Sequence, residues 1–229
     1  MKNFLLSLRF VIKRVFRLTA ANIAWLICFA AVIAALTVVM AAVTEIRGSE
    51  DYPFYLATEP FLTVFLSFGL SSLYSDIYAS VYIRTSGLYK CLRTRAVQVF
   101  LLMISVAAQI PVVIVTAVVN PSALPDFLLV SAIIIGISLP LSSAYFLMWM
   151  VFCGYSIFNL LSCFFGDGYM ADGFAFMPTE LSDSLPVAAL LAVVILLAGL
   201  IASFIVSDII FRIRKRPRDK QMLKGTMQA

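Results

Sequence analysis

The sequence predicts an all-α integral membrane protein with six transmembrane helices, an N-terminal interfacial amphipathic helix and both termini in the cytoplasm. Of its 229 residues, 62% are hydrophobic and 13% are charged, whereas soluble domains are ~45–50% apolar. The apolar residues form long runs, and ~20 such residues cross a bilayer as a helix that pairs its own backbone polar groups. The basic residues cluster in alternate connections between these runs, as expected for cytoplasmic segments.

The first element is an amphipathic helix in residues 1–20. Apolar residues recur there at helical spacing and basic residues fall largely on another face, which is typical of a helix lying in the membrane interface. The alternative is a basic leader that only sets the topology. The apolar stripe comprises Phe4, Leu5, Leu8, Val11, Ile12 and Val15, and the basic residues are Lys2, Arg9, Lys13 and Arg17.

Six apolar runs follow. The third contains Pro111, which should kink its helix. Beyond Pro125 the chain stays apolar as far as residue 165, too long for one span unless it is steeply tilted, so we divide it with a turn at 139–143. The predicted spans are 22–43, 60–80, 96–119, a short fourth span after Pro125, 144–165, and a last span from 185 or 186 to 211.

The charges test this count independently. Basic residues precede the first span, follow the second in residues 84–95, and follow the last in the tail 212–229, which places these three segments in the cytoplasm. The loop 166–184 is then extracellular. A count of five spans would put the basic tail outside. The whole chain forms one membrane domain, and its net charge of +5 predicts contact with anionic lipids and requires no nucleic acid.

Missing motifs exclude several kinds of catalyst. The chain has no histidine, no phosphate-binding glycine loop and no nucleophile elbow, so we expect no enzymatic activity and no cofactor. We also expect no metal site, because the outer carboxylates match no calcium loop and the cysteines lack ligand spacing. Those residues are Asp167, Asp172, Glu180 and Asp183, and Cys28, Cys91, Cys153 and Cys163.

The stretch "RTSGLYKCLRTRAV" begins at Arg84 and is the main candidate functional segment. On a helical wheel Leu88 and Leu92 share one side with Cys91, whereas Lys90 and Arg93 lie opposite. Gly87 precedes them and can break the helix or admit a close backbone approach. A short amphipathic helix of this kind can dock in a groove of a cytoplasmic partner, and the alternative is a solvated basic loop.

This stretch, after a basic helix and two spans, resembles the permease subunits of type-2 ABC exporters. The matching residues are Arg84, Ser86, Gly87, Leu88, Leu92, Arg93, Thr94 and Val97, with Ala96 where the family usually has proline. The resemblance implies a half-transporter that spans the cell membrane, which would be the cytoplasmic membrane of a bacterium. It would pair as a homodimer or with a related permease. A separate ABC ATPase subunit would carry ATP and Mg. The residues that would contact the ATPase are Arg84, Gly87, Leu88, Lys90, Leu92 and Arg93.

Few polar side chains lie within the predicted spans. Gln109 and Asn159 are candidates to line a translocation path, and the alternative is hydrogen bonding between packed helices. Few ionisable residues lie there, so a proton-driven mechanism is disfavoured. Two other functions remain open, a substrate-binding membrane subunit of a vitamin-uptake transporter and a scaffold that transports nothing.

Overall fold

The computed structural model describes residues 2–16, 23–24, 26–35, 86–119, 121–144 and 184–226, and every regular element in these ranges is helical. Three of the helices, α3 to α5, are long and apolar enough to cross a membrane, in agreement with the predicted helical membrane protein. About half of the first predicted span, the second span, all of the fifth span except Ala144, and the outer loop up to residue 183 lie outside the described residues. The helices are α1 (Lys2–Val15), α2 (Leu26–Ala35), α3 (Tyr89–Val119), α4 (Leu124–Ala144) and α5 (Leu185–Thr226).

Helices α3 and α4 form an antiparallel hairpin. A short 3-10 turn, Pro121–Ala123, joins them, and Val112 near the end of α3 packs against Phe127 near the start of α4. At the opposite end of the hairpin, Lys90 at the start of α3 lies beside Asp208 in the second half of α5. Helix α5 is therefore antiparallel to α3 and runs in the same direction as α4.

The tightest packing is between α4 and α5, at Gly136 and Gly199. A Cβ atom built on Gly199 would lie 2.5 Å from the carbonyl oxygen and 2.6 Å from the Cα of Gly136, so the two backbones are almost in contact. Small residues continue this contact surface along α5, where Ala192 and Ser203 are also buried. Close approach through small residues is a common way for membrane helices to pack, because apolar lipid provides no hydrophobic drive between them.

The fourth helix differs from the prediction. It begins near Pro125 as expected, but the turn predicted at residues 139–143 is wrong, because α4 continues through Pro140 to Ala144. The hydroxyls of Ser138 and Ser142 donate to the carbonyls three residues earlier, at 2.8 and 2.7 Å, so these serines are accommodated within the helix. If the helix continues, only the hydrogen bond to the Gly136 carbonyl is lost, because Pro140 has no N–H. If the helix ended here in apolar surroundings, more backbone groups would be left unpaired.

The last helix starts where the sequence predicts and ends much later. Ser184 precedes it, the carbonyl of Ser184 accepts the N–H of Ala188 at 3.0 Å, and Pro186 stands in the first turn, where its missing N–H costs nothing. The helix continues beyond residue 211 to Thr226, so most of the basic tail is helical. Arginine, lysine, glutamine and leucine are all good helix formers and favour this extension, which passes Pro217 at the loss of one backbone hydrogen bond.

The packing differs strongly among the three long helices. Helix α4 is central and mostly buried, whereas α3 and α5 each carry an outward row of apolar side chains that suits lipid. Helix α1 lies against the start of α3 and presents Val11 and Ser7 inward. Its other side exposes Leu5, Leu6 and Phe10 together with Arg9 and Lys13, the combination expected in a membrane interface.

The glycine contact predicts an ordered set of stability losses. Gly199→Ala forces backbone apart and should lower the free energy of unfolding by about 1–3 kcal/mol, the usual cost of overpacking. Gly136→Ala meets Ile195 at 3.2 Å and should cost less, and Gly87→Ala, with nothing within 4 Å, should be neutral. Denaturant unfolding in bicelles measures all three. Equal stabilities for Gly199→Ala and Gly87→Ala would contradict the close crossing.

Candidate functional site

The candidate segment is not a separate short helix but the beginning of α3. Its described part starts at Ser86, whose carbonyl accepts the N–H of Tyr89 at 3.1 Å and so closes the turn that contains Gly87. The helix then runs from Tyr89 into the span without interruption. Because the charge-free apolar run begins only after Arg95, the first two turns of α3 extend beyond the apolar window of the span. We call residues 86–96 the α3 entry.

Two contacts hold the α3 entry to the second half of α5. The ring of Tyr89 lies 5.9 Å from the ring of Phe211 in a tilted arrangement, a favourable aromatic geometry. The Lys90 Nζ lies 4.0 Å from Asp208 Oδ1. That distance is too long for a hydrogen bond, and Lys90 is 57% exposed, so this ion pair stabilises the contact by no more than about 1 kcal/mol.

Burial separates the predicted partner residues into two groups. Leu92 is only 2% exposed and lies in the turn that packs against α1 and α5, so in this structure its side chain is not presented to a partner. The helical wheel identified an apolar side correctly but could not tell which surface would cover it. Leu88 is half-buried, while Gly87 and Lys90 are exposed and accessible to another protein.

Arg93 is partly buried and belongs to the internal contacts of the entry. Its guanidinium donates to the hydroxyl of Tyr89 at 3.1 Å, one helical turn earlier. Among the residues that the structure describes, the exposed basic residues near the entry are Lys90, Arg95 and Arg212, and they make this end of the bundle positive. Arg84, the first residue of the predicted site, lies outside the described residues.

Three further residues of this site were not among the predicted contacts. Tyr89, Asp208 and Phe211 form the connection between α3 and α5. Asp208 offered a signal in the sequence, because it is the one acidic residue within the last apolar run. A carboxylate within an apolar run needs an opposite charge, and the basic α3 entry is a segment that can supply it. The aromatic pair gave no comparable signal, since aromatic residues occur throughout the chain.

Two polar residues inside the helix bundle, Gln109 and Ser131, lack hydrogen-bond partners. Gln109 is 5% exposed, and neither its Oε1 nor its Nε2 makes a hydrogen bond. The Oγ of Ser131 on α4 is likewise buried and unpaired. Gln109 therefore does not make the interhelical hydrogen bond that was the alternative to a path-lining role. Asn159, the second path candidate, lies outside the described residues.

Within the described ranges, no three His, Cys, Asp or Glu side chains are grouped as metal ligands would be. Cys28 is exposed and Cys91 is half-buried, both as free thiols. The four outer carboxylates lie outside these ranges.

Comparison of the chain with protein-family models, with curated proteins and with solved structures finds no match. The described residues form a bundle in which three helices are long and apolar enough to cross a membrane, with a positively charged segment at one end.

The burial of Leu92 predicts a folding role. Leu92→Ala should lower the free energy of unfolding of the isolated subunit by about 2–5 kcal/mol, the range for a buried leucine that leaves a cavity. Leu88→Ala, at a half-buried position one turn earlier, is the matched control and should cost clearly less. Unfolding measured without any partner present makes the distinction. If Leu92→Ala left the stability unchanged but abolished ATPase binding, Leu92 would contact the partner and would not stabilise the fold.

Proposed function

We propose that this chain is the membrane-spanning permease subunit of a type-2 ABC exporter, driven by a separate ATPase. The observation that carries the proposal is the α3 entry. Its residues resemble the family's motif, and it lies at one end of the bundle in contact with both α1 and α5. A force applied to its exposed side therefore acts on three helices at once, which is what a coupling segment requires.

The proposal includes six spans with both termini in the cytoplasm of a bacterial cell. The equal direction of α4 and α5 supports it, because an odd number of crossings must then separate these two helices. A single fifth span after α4 meets that condition. The extension of α5 to Thr226 carries the basic tail away from the apolar window on the same side as the α3 entry, in agreement with positive cytoplasmic segments.

Accessibility labelling tests this topology. Single cysteines placed in a cysteine-free chain at Ser86 and Met222 should react only when the cytoplasmic face is open to the reagent. Cysteines at Ser49 and Ala175 should react in intact cells. The reason is that a charged maleimide does not cross the bilayer. Labelling at Ser86 from outside the cell would overturn both the topology and the cytoplasmic role of the α3 entry.

The ATPase would contact the exposed face of the entry, around Gly87, Lys90 and Arg95. A double variant, Lys90→Gln with Arg95→Gln, should weaken ATPase binding by roughly fivefold, since each exposed charge contributes only a fraction of a kcal/mol. The matched control is Arg9→Gln with Lys13→Gln, which removes two exposed charges from α1. Binding of the purified ATPase to the subunit in nanodiscs measures both effects.

Co-purification from the native membrane separates the functions that the sequence left open. The exporter should retain a pair of ATPase subunits on a permease dimer. A shared coupling subunit between this chain and the ATPases would identify an uptake transporter instead. If no ATPase is retained, a scaffold is favoured and the exporter proposal fails. Equal binding by the two double variants would exclude the α3 entry as the docking surface.

A further inference from the structure

The hydrogen-bond register of α3 changes within the α3 entry. The N–H of Leu92 donates to the carbonyl of Leu88, four residues earlier, at 2.8 Å. The N–H of Val97 donates to the carbonyl of Leu92, so this hydrogen bond joins residues five apart in the chain and not four. The segment between them, Leu92–Ala96, is a π-helical turn, which holds one residue more than an α-helix. Such turns are rare and occur often at functional sites.

Thr94 supports this widened turn. Its side chain is 1% exposed and its hydroxyl donates to the carbonyl of Lys90 at 2.9 Å. In a regular α-helix that carbonyl would accept the backbone N–H of Thr94 itself. The hydroxyl offers the carbonyl a side-chain donor. A residue without a hydroxyl at this position would remove that donor.

The contacts before and after the turn differ. Before it, Tyr89 and Lys90 touch Phe211 and Asp208 on α5. The turn itself lies against α1 and α5, with Leu92 and Ala96 buried. After it, α3 continues as the span. A change of register in the turn would therefore rotate the first turn of the helix against α5 while the span keeps its position.

We propose that the turn Leu92–Ala96 is a register switch in the coupling segment, held in the π register by the Thr94 hydroxyl. Conversion to the α register removes the extra residue from the turn. The helix before it then rotates by about 100°, the angle per residue in an α-helix. Cys91 takes the place of Lys90 beside Asp208, and the exposed face with Gly87 and Lys90 turns with it.

The α5 contacts suit such a movement. The ion pair between Lys90 and Asp208 is long and its Lys90 side chain is largely exposed, so the pair contributes no more than about 1 kcal/mol to the present register. Asp208 Oδ1 accepts no hydrogen bond in the π register. The role of this switch in coupling rests on the proposed function. The two registers themselves are properties of this chain and require no partner.

Thiol cross-linking reports the register directly. In a background with Cys28, Cys153 and Cys163 changed to Ala, one reporter combines Lys90→Cys, Asp208→Cys and Cys91→Ala. The other combines Asp208→Cys with the native Cys91. Both reporters are treated in nanodiscs with a short bifunctional thiol reagent. The first reporter, with cysteines at positions 90 and 208, should cross-link in the π register, and the second, with cysteines at positions 91 and 208, should cross-link in the α register. With Thr94 present, the first should dominate. Dominance of the second would overturn the proposal.

Thr94→Val keeps the shape of the side chain and removes the hydroxyl. It should lower the ratio of first-reporter to second-reporter cross-linking about fivefold, because one net hydrogen bond contributes about 1 kcal/mol. Thr94→Ser is the matched control, because it retains the donor and should keep the ratio of the parent. An unchanged ratio in Thr94→Val, or an equal shift in Thr94→Ser, would contradict a role for the hydroxyl.

A second readout connects the register to transport. When Thr94→Val is assembled with the ATPase, the ATPase should still hydrolyse ATP, but the complex should transport several-fold less per ATP. Thr94→Ser should keep the transport per ATP of the parent. Normal transport per ATP in Thr94→Val would remove the switch from the coupling mechanism. If no ATPase binds the parent chain, the exporter proposal fails, and the cross-linking ratio still decides whether the switch exists.

Discussion

The contact between Gly136 and Gly199 fixes how α4 and α5 lie against each other, and the contacts of the α3 entry with α5 depend on it. With no side chain on either residue, the backbones of α4 and α5 approach until a single added methyl group would collide. This contact holds α5 alongside α4 and in the same direction. It thereby brings Asp208 and Phe211, three turns further along α5, to the level of the α3 entry. The functional candidate thus depends on a packing detail at some distance from it.

The α3 entry combines a well-packed inner side with a weakly held outer side. Leu92, Thr94 and Ala96 are almost completely buried, and their burial provides most of the stabilisation. The outer contacts are one aromatic pair and one long ion pair, each contributing about 1 kcal/mol at most. A segment of this kind stays attached to the bundle while its outer turn can move, which suits a part that transmits force.

The contact surface between α3 and α4 contains buried polar groups without hydrogen-bond partners. Gln109 and Ser131 bury polar atoms without hydrogen bonds, which costs roughly 1–3 kcal/mol for each group in a protein interior. Gln109 is three residues before Val112, and Ser131 is four residues after Phe127, the pair in contact between the two helices. They therefore lie at the same depth on facing surfaces. Two unpaired groups at one depth are compatible with the path-lining role given to Gln109.

The amino-acid sequence by itself determined the solvent of this protein, its helical class and the start of most described helices. Apolar runs of this length have one stable backbone structure in lipid, because only a helix satisfies its own polar groups. The amphipathic N-terminal helix and the start of α5 followed from local patterns, periodicity in one and Pro186 in the other. These features need no information about neighbouring elements.

The tertiary structure decided where α4 ends, which residues of the α3 entry are exposed, and the π register. Pro140 and its flanking serines look like a turn in isolation, yet within a packed helix their hydrogen bonds are satisfied or inexpensive to lose. Leu92 reads as a docking residue until α1 and α5 cover it. A sequence records which side of a helix is apolar, but the identity of the surface that covers it depends on residues distant in the chain.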